Sequence, residues 1–173
     1  MPEGISILNA AKLANIEIPT LCHHPDQFVK ANCRVCIVEV EGSKSLPSSC
    51  STPVTSGMVI HTNSARVLEA MKIILELLLA NHDADCLTCH RNLNCELQKI
   101  ATQSGVRVNR FENVLNKKPV DRTSLSIVRD PNKCVKCGRC VEICRDVQGI
   151  NIIEAIGRSD KIEILPAFGK YLS

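Results

Sequence analysis

The residues of this chain that can do chemistry are its eleven cysteines and one of its five histidines. The cysteines fall into three groups. The first is Cys22, Cys33, Cys36 and Cys50, spaced C-x10-C-x2-C-x13-C. A CxxC step lets two sulfurs from one turn bind the same metal centre, and the outlying cysteines complete four ligands. Ala31, Ser48, Ser49 and Ser51 keep the nearby chain small, which suits backbone amides folding around sulfur. A zinc site of four cysteines is the rival, but zinc ribbons more often pair two CxxC steps, and here there is one.

The second group is His82, Cys86, Cys89 and Cys95, or H-x3-C-x2-C-x5-C. Imidazole can replace a thiolate on iron, and exchanging an anion for a neutral ligand raises the reduction potential. Cys86-Leu87-Thr88-Cys89-His90 is also a CxxCH, the attachment signature of a c-type haem. That reading leaves Cys95 and the other two groups unexplained, and no export signal accompanies it. The third group is Cys134, Cys137, Cys140 and Cys144, C-x2-C-x2-C-x3-C, the bacterial ferredoxin run for a four-iron cluster. Lys133, Lys136, Arg139 and Arg145 surround it and would offset cluster charge. Arg145 stands where that run normally carries proline, and no cysteine follows. Either Cys144 closes this cluster or the fourth ligand lies outside the chain. His23, His24 and His61 lack ligand spacing and read as structural or surface residues.

Disulfides do not fit. Eleven is odd, and Met1-Pro2-Glu3-Gly4 lacks a basic, apolar leader, so the expected setting is reducing and cytoplasmic. The formal charge of +3 counts every thiol as neutral. Ligating cysteines are thiolates, so the loaded protein should be near neutral or acidic, and a nucleic-acid partner is not expected. Membrane insertion is not expected either, because the strongest apolar run, Ile73 to Ala80, is short and broken by Glu76. With 2% aromatic residues, the core must close with aliphatic side chains or with something that is not protein.

The elements that must position these residues are short. Ser6 to Asn15 carries helical spacing, closed off by Pro19. Arg34 to Glu41 reads as a strand around Val35, Ile37, Val38 and Val40, and Met58 to His61 as another. Asn63 or Ser64 caps a helix to about Asn81, with Val67, Leu68, Met71, Ile74, Leu75 and Leu78 on one face. A second helix runs from about Cys95 to Gln103 and stops at Gly105. Asn116 to Arg122 reads as a charged linker, and short apolar pieces follow at 150–156 and 161–165. The fold class is α+β, in segments 1–62, 63–117 and 118–173.

Several of these motifs together resemble the N-terminal cluster-bearing region of iron-only hydrogenases, above all NAD(P)-linked hydrogenase subunits. The markers are the Cys22–Cys50 set, Leu77-Leu78-Leu79-Ala80-Asn81-His82, Asp85-Cys86-Leu87-Thr88-Cys89 and Asn94-Cys95-Glu96-Leu97-Gln98. Ser126 to Cys134, Cys137-Gly138-Arg139-Cys140-Val141 and Val147-Gln148-Gly149 add to them, as does Pro166-Ala167-Phe168-Gly169-Lys170. The large iron–sulfur subunit of complex I and some formate dehydrogenases share the same ordered modules.

The resemblance implies a plant-ferredoxin-like β-grasp domain with a 2Fe–2S cluster on Cys22, Cys33, Cys36 and Cys50. It implies a helical domain with a 4Fe–4S cluster on His82, Cys86, Cys89 and Cys95. Cys134, Cys137 and Cys140 would hold a ferredoxin-type 4Fe–4S cluster with a distant fourth ligand, and Cys144 would serve a further cluster. The implied partners are an NAD(P)H-oxidising flavoprotein subunit or a ferredoxin, and a hydrogenase catalytic domain. The family places a strand hairpin before the first helix and a hydrogen-activating domain after the last cysteines. Both are expected to be missing from a chain that starts at the helix and stops at Ser173, so the expected function is electron relay without H2 chemistry.

Overall fold

A computed structural model describes residues 4–112, 115–124 and 126–166. Helix α1 spans Ile7–Leu13, and Ser6 caps it by accepting the Asn9 amide at 3.2 Å. Its buried residues, Ile7, Leu8, Ala10 and Ala11, turn toward Ile18, Cys36, Val38 and Cys50, which form the first apolar cluster. Strands β1 (Glu39–Val40) and β2 (Ile60–His61) pair antiparallel, Glu39 opposite His61 and Val40 opposite Ile60.

The strand expected over 34–41 is therefore much shorter. Val35, Cys36, Ile37 and Val38 are all buried, so the stretch does not alternate between a core face and a solvent face. Arg34 takes φ 58°, and Ile37 makes only an isolated bridge to Ser48. The chain here wraps around its cysteines and becomes a strand only beyond them. The strand expected over 58–61 is likewise reduced to its last two residues.

Helix α2 spans Ala65–Ala80, with Ser64 accepting the Val67 amide at 3.3 Å. Val67, Met71, Leu75 and Ala80 are buried along one face, while Leu68, expected on that face, is exposed. Helix α3 spans Glu96–Gln103 and ends at Ser104 before the left-handed Gly105 (φ 68°). Leu97 and Ile100 of α3 meet Met71 and Leu75 of α2, together with Leu21 and Val35, in a second cluster that Cys33, Cys95 and Val135 border. Burying each such side chain stabilises the fold by about 1.5–3 kcal/mol, so the residues flanking three cysteine groups share one core.

The last segment opens with a 3-10 turn, Pro131–Lys133. Helix α4 (Arg139–Glu142) continues into a π-helical turn over Ile143–Val147. The two apolar pieces that follow are strands β3 (Ile153–Ile156) and β4 (Glu163–Pro166), paired antiparallel. Gly157 begins their connection at φ 92°, where a Cβ would meet the Lys161 carbonyl at 2.3 Å. No helix among the described residues is long and apolar enough to cross a membrane. Ala167 to Lys170, part of the family marker at the end of the chain, lie outside the described residues.

Candidate metal centres

All eleven cysteines are free of disulfide bonds. In the first group Cys22, Cys36 and Cys50 are buried and Cys33 is partly so. Ala31 and Arg34 adopt left-handed conformations that curl the loop between Cys22 and Cys36. Cys33 hydrogen-bonds the Cys22 thiol and holds it down at about 5, against the opposing effect of burial. Cys50 does the same for Cys36, held down at about 6 against the opposing effect of burial. The partners Cys33 and Cys50 are pushed up, because each keeps the proton its neighbour gives up. The four thiols thus influence one another as neighbours, Cys22 chiefly with Cys33 and Cys36 chiefly with Cys50. Among the described residues no three His, Cys, Asp or Glu side chains converge as they would around a single metal ion, in this group or the other two.

The second group begins where α2 ends. Asn81 closes the helix, its side-chain amide donating to the Leu77 carbonyl at 3.2 Å. His82 follows, buried, its own amide donating to Leu79. Burial holds the imidazole below its ordinary pKa and so neutral, with Lys133 adding to the effect. Its Nδ1 is buried with no hydrogen-bond partner among the described residues. A neutral imidazole with a free ring nitrogen in a dry site is available to bind a metal. Cys86 and Cys89 lie in a turn braced by Thr88 Oγ1 donating to Asp85 Oδ2 at 2.8 Å, and the Arg91 amide donates to Cys89 Sγ at 3.4 Å. Gln98 on α3 accepts the Leu93 amide at 2.9 Å and donates to Asn92 at 3.0 Å, which sets the loop into Cys95. The donor set and its buried free nitrogen fit a cluster ligated by one histidine and three cysteines.

In the third group, left-handed Lys136 and Gly138 curl the chain, and the Lys136 amide donates to Cys134 Sγ at 3.4 Å. Burial raises the Cys134 thiol, lost hydration on its inner side raises that of Cys140, and the neighbouring thiols of the group raise both further. Cys134, Cys137 and Cys140 thus lie within electrostatic reach of one another. Cys140 is exposed, whereas Cys144 is buried in the π-helical turn, where its carbonyl accepts the Ile150 and Asn151 amides. Buried Asn132 sets the approach to Cys134 by bonding the Lys118 amide and carbonyl, each at 2.8 Å.

The basic residues of this run do more than neutralise charge, a role sequence spacing does not reveal. Lys133 bonds the Asp83–Asp85 loop beside His82. Lys136 reaches the Asp160 carbonyl. Arg139 reaches Glu96 and the His23 carbonyl. Arg145 stays local, paired with Glu142 and Asp146. His61 pairs with Glu41 at 3.0 Å, and His24 Nδ1 accepts the Asp26 amide, structural roles as expected.

Three domain profiles match the chain in order. They are a 2Fe–2S iron–sulfur cluster binding domain over residues 1–65, the NADH-ubiquinone oxidoreductase-G iron–sulfur binding region over 72–110, and a 4Fe–4S binding domain over 127–146. Fold, cysteine groups and profiles define an iron–sulfur electron-transfer region. The chain resembles, over nearly its whole length, the N-terminal iron–sulfur region shared by the G subunit of NADH-quinone oxidoreductases and by NAD(P)-reducing hydrogenase subunits.

The chain is 43% identical over 173 residues to the NADP-reducing hydrogenase subunit HndD of Solidesulfovibrio fructosivorans, covering 97% of itself and 30% of that protein. It is 37% identical over 163 residues to the mitochondrial NADH-ubiquinone oxidoreductase 78 kDa subunit of Candida albicans, covering 93% of itself and 23% of that protein. The chain thus spans under a third of the length of these relatives. A chain in the crystal structure of an NAD+-reducing NiFe hydrogenase, in the H2-reduced state, superposes with a TM-score of 0.89 at 28% identity, over 96% of this chain and 70% of that one. The family likeness therefore extends beyond iron-only hydrogenases.

Proposed function

We propose that this chain is the electron relay of an NAD(P)-linked oxidoreductase of the hydrogenase type. Cys22, Cys33, Cys36 and Cys50 hold a 2Fe–2S cluster in a β-grasp domain, residues 1–62. His82, Cys86, Cys89 and Cys95 hold a 4Fe–4S cluster in the helical segment 63–117. Cys134, Cys137 and Cys140 hold a ferredoxin-type 4Fe–4S cluster in 118–173, and Cys144 either completes it or serves a further cluster. Such clusters accept and release one electron at a time. The protein's own part is to bind them, exclude water and set their potentials through ligand type, hydrogen bonds to sulfur and local charge.

The observation that carries the reading is His82. It is buried with Nδ1 free, and the residue after it is tied to the turn before Cys134, the Asp83 amide donating to the Asn132 carbonyl at 3.2 Å and Lys133 Nζ to the Asp83 carbonyl at 3.3 Å. Two proposed cluster sites joined by such short bonds suit relay. The higher identity to the NADP-reducing hydrogenase subunit, 43% against 37%, favours the hydrogenase type over a complex I module. The partners proposed are an NAD(P)H-oxidising flavoprotein subunit or a ferredoxin on one side and a hydrogenase catalytic domain on the other, in a reducing, cytoplasmic setting.

Iron and acid-labile sulfide per chain after anaerobic purification, with EPR of the reduced protein, test the proposal. Near-equal iron and sulfide with signals from both two-iron and four-iron centres are expected. Zinc without sulfide would overturn it and leave a structural metal protein.

A further inference from the structure

Among the described residues, Arg139 is the side chain that touches the neighbourhood of all three cysteine groups. It opens α4 directly after Gly138, whose φ of 71° turns the chain into the helix, and it directly precedes Cys140. Its Nη1 donates to Glu96 Oε2 at 2.6 Å, and Glu96 directly follows Cys95. Its Nη2 donates to the His23 carbonyl at 3.0 Å, and His23 directly follows Cys22. Its own carbonyl accepts Gln27 Nε2 at 2.9 Å, and Gln27 in turn accepts Lys30 Nζ at 3.0 Å, so the backbone at 139 is tied to the first loop a second time. The Nε group is buried and has no partner among the described residues.

A planar fork that makes two charge-assisted bonds in fixed directions holds its partners in register, which a lysine with one flexible ammonium does not. The sequence separations of 43 and 116 residues mean that these contacts act between segments and not within one. Iron–sulfur clusters are anionic assemblies whose potentials respond to nearby charge and hydrogen bonds. A fixed cation at their junction favours the reduced, more negative state of each, to the extent that Glu96, at 2.6 Å, leaves its charge uncompensated.

We propose that Arg139 is the positioning residue of the relay. It holds the residues beside Cys22, Cys95 and Cys140 at fixed separations, and it supplies the shared positive charge that raises the potentials of the adjoining centres. This rests on the relay reading of the three groups. The test compares wild-type protein with Arg139→Gln, Arg139→Lys and Glu96→Gln after anaerobic purification. It reads iron and sulfide per chain, midpoint potentials by EPR-monitored titration, and the magnetic interaction between reduced centres.

Arg139→Gln is expected to keep iron and sulfide, lower the midpoint potentials, and weaken the interaction between centres. Arg139→Lys is expected to keep the potentials near wild type but weaken the interaction, because charge survives and the fork does not. Glu96→Gln, which loosens the arm toward Cys95 and unmasks the charge of Arg139, is expected to weaken the interactions that involve the His82 centre and to raise the midpoint potentials. Loaded variants with wild-type potentials and interactions would overturn the proposal. Should Arg139→Gln fail to fold, unchanged spectra in Arg139→Lys and Glu96→Gln would overturn it equally. A wild-type protein without iron and sulfide would instead bring down the relay reading, and this inference with it.

Discussion

Lys133 reaches across 50 residues of sequence to Asp83, with Nζ 3.2 Å from Oδ2 and 3.3 Å from the backbone carbonyl of the same residue. A third bond goes to the Asp85 carbonyl at 3.1 Å, and the Asp83 amide returns one to the Asn132 carbonyl at 3.2 Å. These bonds stitch the loop after His82 to the turn before Cys134. Replacing Lys133 with Met keeps the length of the side chain and removes its donors. The expected outcome is a His82 centre with a lower midpoint potential and faster loss of iron to a chelator, while the Cys22 centre is unchanged. Chelator kinetics followed by EPR check both.

Glu76 is a carboxylate in the middle of an apolar helix face, its side chain 1% exposed, with Oε2 bonded to Arg110 Nε at 2.7 Å and Oε1 unpartnered among the described residues. Removing one member of a buried pair costs more than removing both, because it strands a charge. Arg110 is 59% exposed, which moderates the penalty. Arg110→Ala is expected to destabilise by about 1–3 kcal/mol, and the Glu76→Leu, Arg110→Ala double variant by less. Urea unfolding midpoints of the single and double variants decide the order.

Asp121 and Arg129 exchange backbone hydrogen bonds at 2.8 and 2.9 Å and pair through their side chains at 3.2 Å. The Thr123 hydroxyl and amide, and then Arg129, hold the Asp121 carboxyl below its ordinary 3.8. A folded-state pKa below the unfolded one means the contribution to stability is fully present above about pH 4 and fades as pH falls through the folded value. Asp121→Asn should therefore lower stability at pH 6, and its deficit against wild type should shrink as pH falls below about 4. Urea midpoints across that range test the narrowing.

His82→Cys exchanges a neutral ligand for an anionic one and is expected to lower the potential of that centre with the cluster still assembled. A redox titration that returns the wild-type potential on a fully loaded variant would remove His82 from the ligand set.

The parts legible in the sequence were those written locally. Ser64 and Gly105 mark the limits of the two long helices because capping chemistry is decided within a few residues. The cysteine groups are legible because one turn brings CxxC sulfurs together whatever the rest of the fold does. The stretch from Arg34 to Val38 misleads because its apolar run is buried on both sides around the cysteines and does not pleat. The β3–β4 hairpin was visible only as two apolar pieces, since its pairing depends on the turn at Gly157. Arg139 and Lys133 read as counter-charges because contacts made 43 to 116 residues away leave no periodicity to detect. Glu76 read as an interruption of an apolar run, and its partner Arg110 lies 34 residues on.

The three groups also differ in how far they are open to water. Cys22, Cys36 and Cys50 are no more than 2% accessible, whereas Cys140 is exposed. An oxidant arriving from solvent meets sulfur at Cys140 long before it can reach the first loop, and sulfur oxidation follows access. Before clusters are loaded, Cys140 is therefore expected to react with a thiol reagent ahead of Cys22, Cys36 and Cys50.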